Sequence, residues 1–186
     1  MHATITVVTG LAGFACFGAF SWGVKGHFRS TGAMPLGMRV TSGISLAGFV
    51  WFLLHLRAGV SGHWPGALAL FAGGLGVFAW AIQATRRTPP TLAFDTDKPS
   101  FLLRHGPYQY VRHPFYLAYL MFWIGTAVAA RTPLAWAAPA LMVGLYFNAA
   151  TREERKFATS ELAEAYAAYR AKAGMFLPRV SALLVG

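Results

Sequence analysis

Five apolar segments run through the chain, separated by short polar stretches. They cover about residues 4–24, 40–56, 66–85, 114–130 and 133–150. A helix needs roughly 17 to 25 apolar residues to cross about 30 Å of hydrocarbon, and each segment is near that length. The pattern predicts an all-α integral membrane protein with about five transmembrane helices. Because only Arg131, Thr132 and Pro133 separate the last two segments, we expect these to form a tight antiparallel hairpin.

The composition agrees with a membrane environment. Of the 186 residues, 56% are hydrophobic and only 12% are charged, which is outside the usual balance of a soluble domain. The length predicts a single domain over residues 1–186, because no low-complexity linker divides it. The first segment begins almost at Met1, without a basic leader or a small-residue cleavage site, so we expect the mature protein to keep it. The one cysteine, Cys16, allows neither a disulfide framework nor a cysteine zinc site.

Lysines and arginines are distributed unevenly between alternate loops. Three follow the first segment, five follow the third, six lie in the C-terminal tail, and the other two are Arg57 and Arg131. The positive-inside rule therefore predicts an external N-terminus and a cytoplasmic tail, and we expect the bacterial inner membrane as the location. All six acidic residues fall on the same cytoplasmic side. This arrangement places no carboxylate at mid-membrane, which argues against an ion-coupled transporter.

The net charge of +10 would suggest a nucleic-acid partner in a soluble protein, since basic patches neutralise phosphates. Here the charges flank apolar stretches instead of forming a basic helix with exposed aromatic residues. We therefore expect attraction to the anionic headgroups of membrane lipids, and no nucleic-acid binding.

The chemically informative stretch is 100–116, SFLLRHGPYQYVRHPFY, which leads directly into the fourth segment. Gly106 and Pro107 predict a turn, and His113 followed by Pro114 predicts a helix start, because proline suits the first helical turn. A basic, aromatic and turn-rich segment at a membrane surface can hold an anionic or zwitterionic ligand. Tyrosine and arginine are also common interfacial anchors. The residues alone leave ligand binding and anchoring equally open.

A second polar cluster, Arg152, Glu153 and Glu154, follows the fifth segment on what the pattern predicts to be a continuing helix. Thr151 with Glu154 three residues later also fits a capping box, which would make these charges a solvated helix end. The fourth segment starts and the fifth ends on the same face of the membrane. The hairpin therefore brings both clusters together, and their convergence favours a site.

At these residues the sequence resembles the isoprenylcysteine carboxyl methyltransferase and phospholipid methyltransferase family of membrane enzymes. The family pattern is a leucine-rich lead, Gly-x-Tyr, Arg-His-Pro-x-Tyr, a helical hairpin, a Glu-Glu pair, and a tyrosine-rich helix ending in proline. The resemblance covers mainly residues 100–178. The matching positions are Leu102, Leu103, Gly106, Tyr108, Arg112, His113, Pro114, Tyr116, Glu153, Glu154, Tyr166, Tyr169 and Pro178.

The resemblance implies an S-adenosylmethionine site built from the cytoplasmic loop and the C-terminal helix. In that case 101–103 would line the adenine, a carboxylate would bind the ammonium or ribose, and Arg112 would face the carboxylate of the cofactor. The implied cofactor-binding residues are Phe101, Leu102, Leu103, His105, Gly106, Tyr108, His113, Pro114, Tyr116, Glu153 and Glu154. The implied catalytic residues are Arg112, Asn148 and Glu154.

The resemblance further implies methyl transfer to a lipophilic small molecule or lipid. In the prenylcysteine enzymes an arginine precedes the glutamate pair by about four residues, but Ala149 stands there in this chain, beside Asn148. Methylation of a prenylcysteine is therefore not implied, and phospholipid amines, thiols, quinone-like and prenyl acceptors stay open.

Two alternatives stay open as well: an NADPH-dependent membrane reductase of the sterol reductase type, and a non-enzymatic membrane adaptor or transporter. A Rossmann-type nucleotide site is not predicted, because no Gly-x-Gly-x-x-Gly follows a strand. The glycines at 73, 74 and 76 lie inside the third segment, where they are expected to allow close helix packing. The six histidines show no metal-ligand spacing, so no metal site is predicted.

Overall fold

The computed structural model describes residues 2–29, 33–59, 62–91 and 99–179. Asp95 and Asp97, two of the acidic residues expected on the cytoplasmic side, lie outside these ranges. Within them the secondary structure is helical, apart from two isolated β-bridges. Two short 3₁₀ helices, Gly106–Gln109 and Pro133–Trp136, precede α4 and α5. The α-helices are α1 His2–Gly26, α2 Leu36–Leu56, α3 Trp64–Thr85, α4 Pro114–Ala130, α5 Ala137–Ala158 and α6 Ala163–Lys172.

All five predicted apolar segments form helices. Among the described residues, four stretches are long and apolar enough to cross a membrane: α1, α2, α3 and the stretch Pro133–Ala158. The fourth segment, α4, is a shorter apolar helix of 17 residues, or about 25 Å at 1.5 Å per residue. The prediction of an all-α integral membrane protein is confirmed.

Helix α4 lies at the centre of the bundle, and most of its residues are buried. Its most extensive contact is with α3, where glycines allow the two backbones to approach. A Cβ added to Gly73 would lie 2.5 Å from Met121 Cε, and one added to Gly74 would lie 3.0 Å from the Ala118 carbonyl oxygen. The packing role predicted for these glycines is confirmed at both positions. Gly76 has no neighbouring atom within 4 Å, so the prediction is wrong there.

The α4–α5 connection is the tight hairpin that the sequence predicted. Helix α4 ends at Ala130, and the next residue, Arg131, has a left-handed φ of 52° that turns the chain sharply. Helix α5 continues past residue 150, where the apolar segment ends, as far as Ala158, as the sequence predicted. Thr151 therefore lies inside the helix, where its hydroxyl donates to the Phe147 carbonyl at 2.7 Å. The capping-box alternative is wrong.

The segment after α6 returns to the loop that precedes α4. The backbone N–H of Arg112 donates to the Gly174 carbonyl at 2.8 Å, and that of His113 donates to the Met175 carbonyl at 3.1 Å. Gly174 in turn donates to the Tyr110 carbonyl at 3.0 Å. A Cβ on Gly174 would lie 1.7 Å from the Leu177 carbonyl oxygen, so the turn between these two residues requires glycine. These bonds attach the C-terminal segment to the start of α4.

Candidate functional site

One cavity of about 560 Å³ opens where the loop before α4, the end of α5 and helix α6 meet. This volume lies within the range of small-molecule sites. Its polar end is formed by Arg112, His113, Glu153 and Glu154. From there an apolar arm continues between α1, α2, α4 and α5, and is lined by Phe17, Phe20, Leu46, Phe122, Trp123 and Leu145. A single cavity therefore joins charged groups to the apolar interior of the bundle.

Arg112 and Glu154 form a buried ion pair at the polar end. The Nε and Nη2 atoms of Arg112 each lie 2.9 Å from Glu154 Oε1. Nη1 donates to the Ala173 carbonyl at 2.5 Å, so the guanidinium also holds the segment after α6. A charge-assisted fork of this kind fixes its partners more firmly than a neutral bond does. Glu154 is therefore a positioning residue that orients Arg112 along the cavity wall.

His113 lies between the two glutamates. Its Nε2 is 3.2 Å from Glu154 Oε1, and its Nδ1 is 3.5 Å from Glu153 Oε2. Burial by itself lowers the pKa of His113, but the hydrogen bonds and charges of both carboxylates outweigh it and raise this pKa above the ordinary value. The raised pKa favours an imidazolium that links the two carboxylates.

Glu153 differs from Glu154 in exposure and partners. Its side chain is 33% exposed, against 8% for Glu154, and it accepts a hydrogen bond from the Tyr116 hydroxyl. The Tyr116 ring stacks on Tyr146 with centroids 5.3 Å apart. Glu153 is thus the carboxylate that remains accessible to a ligand, because Glu154 is buried in its ion pair with Arg112.

Tyrosines on α6 close the cavity on the side of the loop. The Tyr169 hydroxyl donates to the Tyr108 carbonyl at 2.6 Å, and Leu102 packs against the buried cluster formed by Tyr166, Tyr169 and Ala173. Burial raises the pKa of both Tyr108 and Tyr169, so both phenols stay neutral hydrogen-bonding groups.

The structure brings most of the predicted site residues to this cavity. Ten of them line it: Phe101, Leu102, Leu103, Tyr108, Arg112, His113, Pro114, Tyr116, Glu153 and Glu154. Three do not. The exposed His105 bonds the Ala84 carbonyl at 2.8 Å. Gly106 faces Ala84 and Trp80 and supplies a left-handed turn with a φ of 60°.

Asn148 is the third, and the structure corrects its expected place near the reacting atoms. Its side chain lies on the exposed face of α5 and accepts a hydrogen bond from Arg152 Nε at 2.7 Å. The adjacent residue, Ala149, lines the cavity instead. A difference of one residue, about 100° around the helix, separates the two environments.

Several lining residues were missed at the sequence level because they lie inside apolar segments. They include Ser21 on α1, Ser42 and Ser45 on α2, Tyr119 on α4 and Tyr146 on α5. The available signal was the presence of hydroxyl groups within membrane-spanning sequence, since hydroxyls there tend to face protein instead of lipid. Only the packing shows that they share one cavity.

A comparison with known protein families matches the part of the chain that carries the polar end of the cavity. The family model described as phospholipid methyltransferase matches residues 63–167, which is more than half of the chain and includes both polar clusters. This chain belongs to the phospholipid methyltransferase family. The resemblance noted in the sequence is thereby confirmed at the level of the family.

A named relative of this family member is the cobalt-zinc-cadmium resistance protein CzcN of Cupriavidus metallidurans. The two are 31% identical over 120 residues, covering 64% of this chain and 54% of CzcN. The chain thus matches about half the length of that relative. No solved structure matches the chain. Among the residues that the structure describes, no group of three or more histidine, cysteine, aspartate or glutamate side chains is arranged to hold a metal ion.

Proposed function

We propose that this protein transfers a methyl group from S-adenosylmethionine to a lipophilic acceptor within the membrane. Family membership favours a membrane methyltransferase over the reductase and over the non-enzymatic alternatives. The observation that carries the proposal is the continuity of the cavity, which joins the polar end to the apolar arm. A water-soluble donor and a lipid-soluble acceptor would meet where these two parts join.

The residues of the polar end suit the cofactor. Its amino-acid portion is a zwitterion, and this cavity presents Arg112 for a carboxylate and the partly exposed Glu153 for an ammonium. The segment 101–103 lines the cavity without regular secondary structure, so its backbone groups are available to an adenine. The aromatic rings of Tyr108 and Tyr116 also line the site and suit a cationic sulfonium.

Bound S-adenosylmethionine would supply an electrophilic methyl group. An acceptor atom with a lone pair would take this methyl group, S-adenosylhomocysteine would be the leaving group, and a proton carried by the acceptor atom would be released. The protein's task is then positioning and exclusion of water, which can account for much of the rate in such transfers. The Arg112–Glu154 pair and His113 fix the polar end, and the phenylalanines of the arm keep the acceptor desolvated.

We further propose that the polar end faces the cytoplasm. The loops that carry most of the lysines and arginines lie on the same side as the polar end of the cavity. A cofactor made in the cytoplasm would enter there, and the acceptor would enter from the bilayer.

The test is methyl transfer by purified protein reconstituted with a bacterial membrane lipid extract and S-adenosylmethionine labelled in its methyl group. We expect label to enter an organic-soluble product and to decrease strongly in Glu153→Gln. The matched control is Arg152→Gln, the adjacent residue, whose side chain is exposed. Absence of label from every lipid fraction, in a preparation that binds the cofactor, would refute a lipophilic acceptor.

A further inference from the structure

The apolar arm of the cavity contains a buried hydroxyl group that the described part of the protein does not satisfy. The Tyr119 hydroxyl oxygen is inaccessible to solvent and has no hydrogen-bond partner among the described residues. Buried polar groups in folded proteins are almost always hydrogen-bonded, and an exception calls for an explanation. Because Tyr119 lines the cavity, a bound ligand is the natural partner.

The neighbouring Tyr146 also lines the cavity, but its hydroxyl has a hydrogen-bond partner. The Tyr146 hydroxyl accepts a hydrogen bond from the Trp123 indole at 3.3 Å. The rings of Tyr119 and Tyr146 are 5.7 Å apart, so both phenols experience a similar apolar environment. The contrast identifies Tyr119 as the group whose partner must come from elsewhere.

Packing explains why Tyr119 keeps its ring in this position. The ring contacts Phe20 edge-on at 4.8 Å and Phe78 at 6.3 Å, so aromatic contacts with α1 and α3 hold it in place. A tyrosine that served packing alone could be a phenylalanine, which would avoid burying an unpaired hydroxyl.

The position of Tyr119 along α4 indicates which part of the cavity it lines. Tyr119 is six residues after His113, so its Cα lies about 9 Å further along the helix axis. Tyr119 therefore belongs to the apolar part of the cavity and not to its polar end.

We infer that the acceptor carries a carbonyl oxygen in its membrane-buried part, and that Tyr119 donates a hydrogen bond to it. This inference rests on the proposed function and narrows its substrate class. A carbonyl needs only a donor, whereas a ligand hydroxyl would bring a second group to satisfy in the same apolar space. The ester of a glycerolipid and the ring carbonyl of an isoprenoid quinone both have this chemistry. A prenyl thiol, whose tail is hydrocarbon alone, does not.

The test measures binding of two matched probe pairs to purified protein without cofactor, by native mass spectrometry. One pair is dioleoyl phosphatidylethanolamine and its dialkyl ether analogue, and the other is a short-chain ubiquinone and the corresponding isoprenyl benzene. Wild type should bind the carbonyl member of at least one pair several-fold more tightly. Tyr119→Phe, which removes only the hydroxyl, should abolish that preference. The matched control is Tyr110→Phe, whose ring packs against Trp80 outside the cavity.

The pair that shows the preference identifies the source of the carbonyl. Equal binding within both pairs by wild type would overturn the inference, and so would a preference that survives in Tyr119→Phe. S-adenosylmethionine affinity, measured on the same preparations, should be unchanged by Tyr119→Phe. If wild type does not bind the cofactor, the proposed function fails separately, whatever the probes show.

Discussion

Arg112 and Glu154, 42 positions apart in the sequence, form an ion pair whose side chains are only 5% and 8% exposed. The pair joins the start of α4 to α5, and Arg112 also binds the backbone after α6 at Ala173. Three separate parts of the chain thus meet at one guanidinium. The shape of the polar end depends on this contact more than on any surface charge.

Breaking the pair from either side should destabilise the protein strongly. Glu154→Gln leaves the Arg112 charge buried without a carboxylate partner, which costs about 3 to 5 kcal/mol, or roughly 6 °C or more in melting temperature for a chain of this size. Arg112→Gln should cost less than Glu154→Gln, because His113 Nε2 still lies 3.2 Å from Glu154 Oε1. The double variant should lose clearly less stability than the summed losses of the two single variants. Thermal unfolding in detergent measures this. Arg170→Gln is the control, because Arg170 lies 3.7 Å from Glu154 but is 62% exposed, and its loss should cost about 0.5 kcal/mol or less.

Stability should fall as the pH rises through the raised pKa of His113. A group whose pKa is higher in the folded state stabilises the fold fully below its unfolded value, about 6.5, and loses that contribution as the pH passes the folded value. We therefore expect the wild-type melting temperature to decrease as the pH rises above about 6.5. His113→Gln should flatten this decrease, whereas the exposed His105→Gln should not. A wild-type profile identical to that of His113→Gln would show that the imidazole does not bridge the carboxylates.

The turn at Gly106 should not tolerate a side chain. Gly106→Ala would place a residue at a φ of 60° with its Cβ 2.9 Å from Ala84 Cβ, and left-handed backbone alone costs about 1 to 2 kcal/mol. We expect lower thermal stability and weaker cofactor binding, since the turn positions Tyr108. Gly76→Ala, at a helical site with no neighbour within 4 Å, should leave stability unchanged or raise it by up to about 1 kcal/mol. Equal effects of the two substitutions would contradict the assigned role of the turn.

The proposed orientation can be tested with single cysteines. The native Cys16 is completely buried, so it should not react with a membrane-impermeant maleimide. Arg57→Cys, after α2, should be labelled in intact cells, and Lys172→Cys, at the end of α6, only after lysis. The reverse pattern would place the polar end of the cavity outside the cytoplasm.

The hydrophobic pattern was sufficient to predict the helices, because a span in lipid must be long, apolar and helical. The apolar run ends at residue 150, but the helix was expected to continue beyond it, and α5 does continue through Arg152, Glu153 and Glu154 to Ala158. An apolar run shows which part of a helix lies in lipid. It does not show where the hydrogen bonding of that helix ends.

The candidate site was predictable where its residues carry charge or break the chain, as at Arg112 and His113. Asn148 was misplaced because a single residue changes the face of a helix. Tyr119 and Tyr146 were missed because a tyrosine inside an apolar segment gives the same local signal whether it faces lipid or a cavity. The sequence also could not show that Glu154 pairs with Arg112 while Glu153 stays partly exposed, because this difference depends on three-dimensional contacts.

Calorimetric titration of the purified protein with S-adenosylmethionine, S-adenosylhomocysteine and NADPH tests the central claim most directly. We predict saturable binding of the first two ligands and none of NADPH. A carboxylate that pairs with a charged ligand group contributes about 2 to 5 kcal/mol, against about 0.3 to 1 for a solvated helix-end charge. Glu153→Gln should therefore raise the S-adenosylmethionine dissociation constant at least about tenfold, or roughly 1.4 kcal/mol, while Arg152→Gln leaves it unchanged. Wild-type protein that binds NADPH but not S-adenosylmethionine, or cofactor affinity that survives Glu153→Gln intact, would contradict the account.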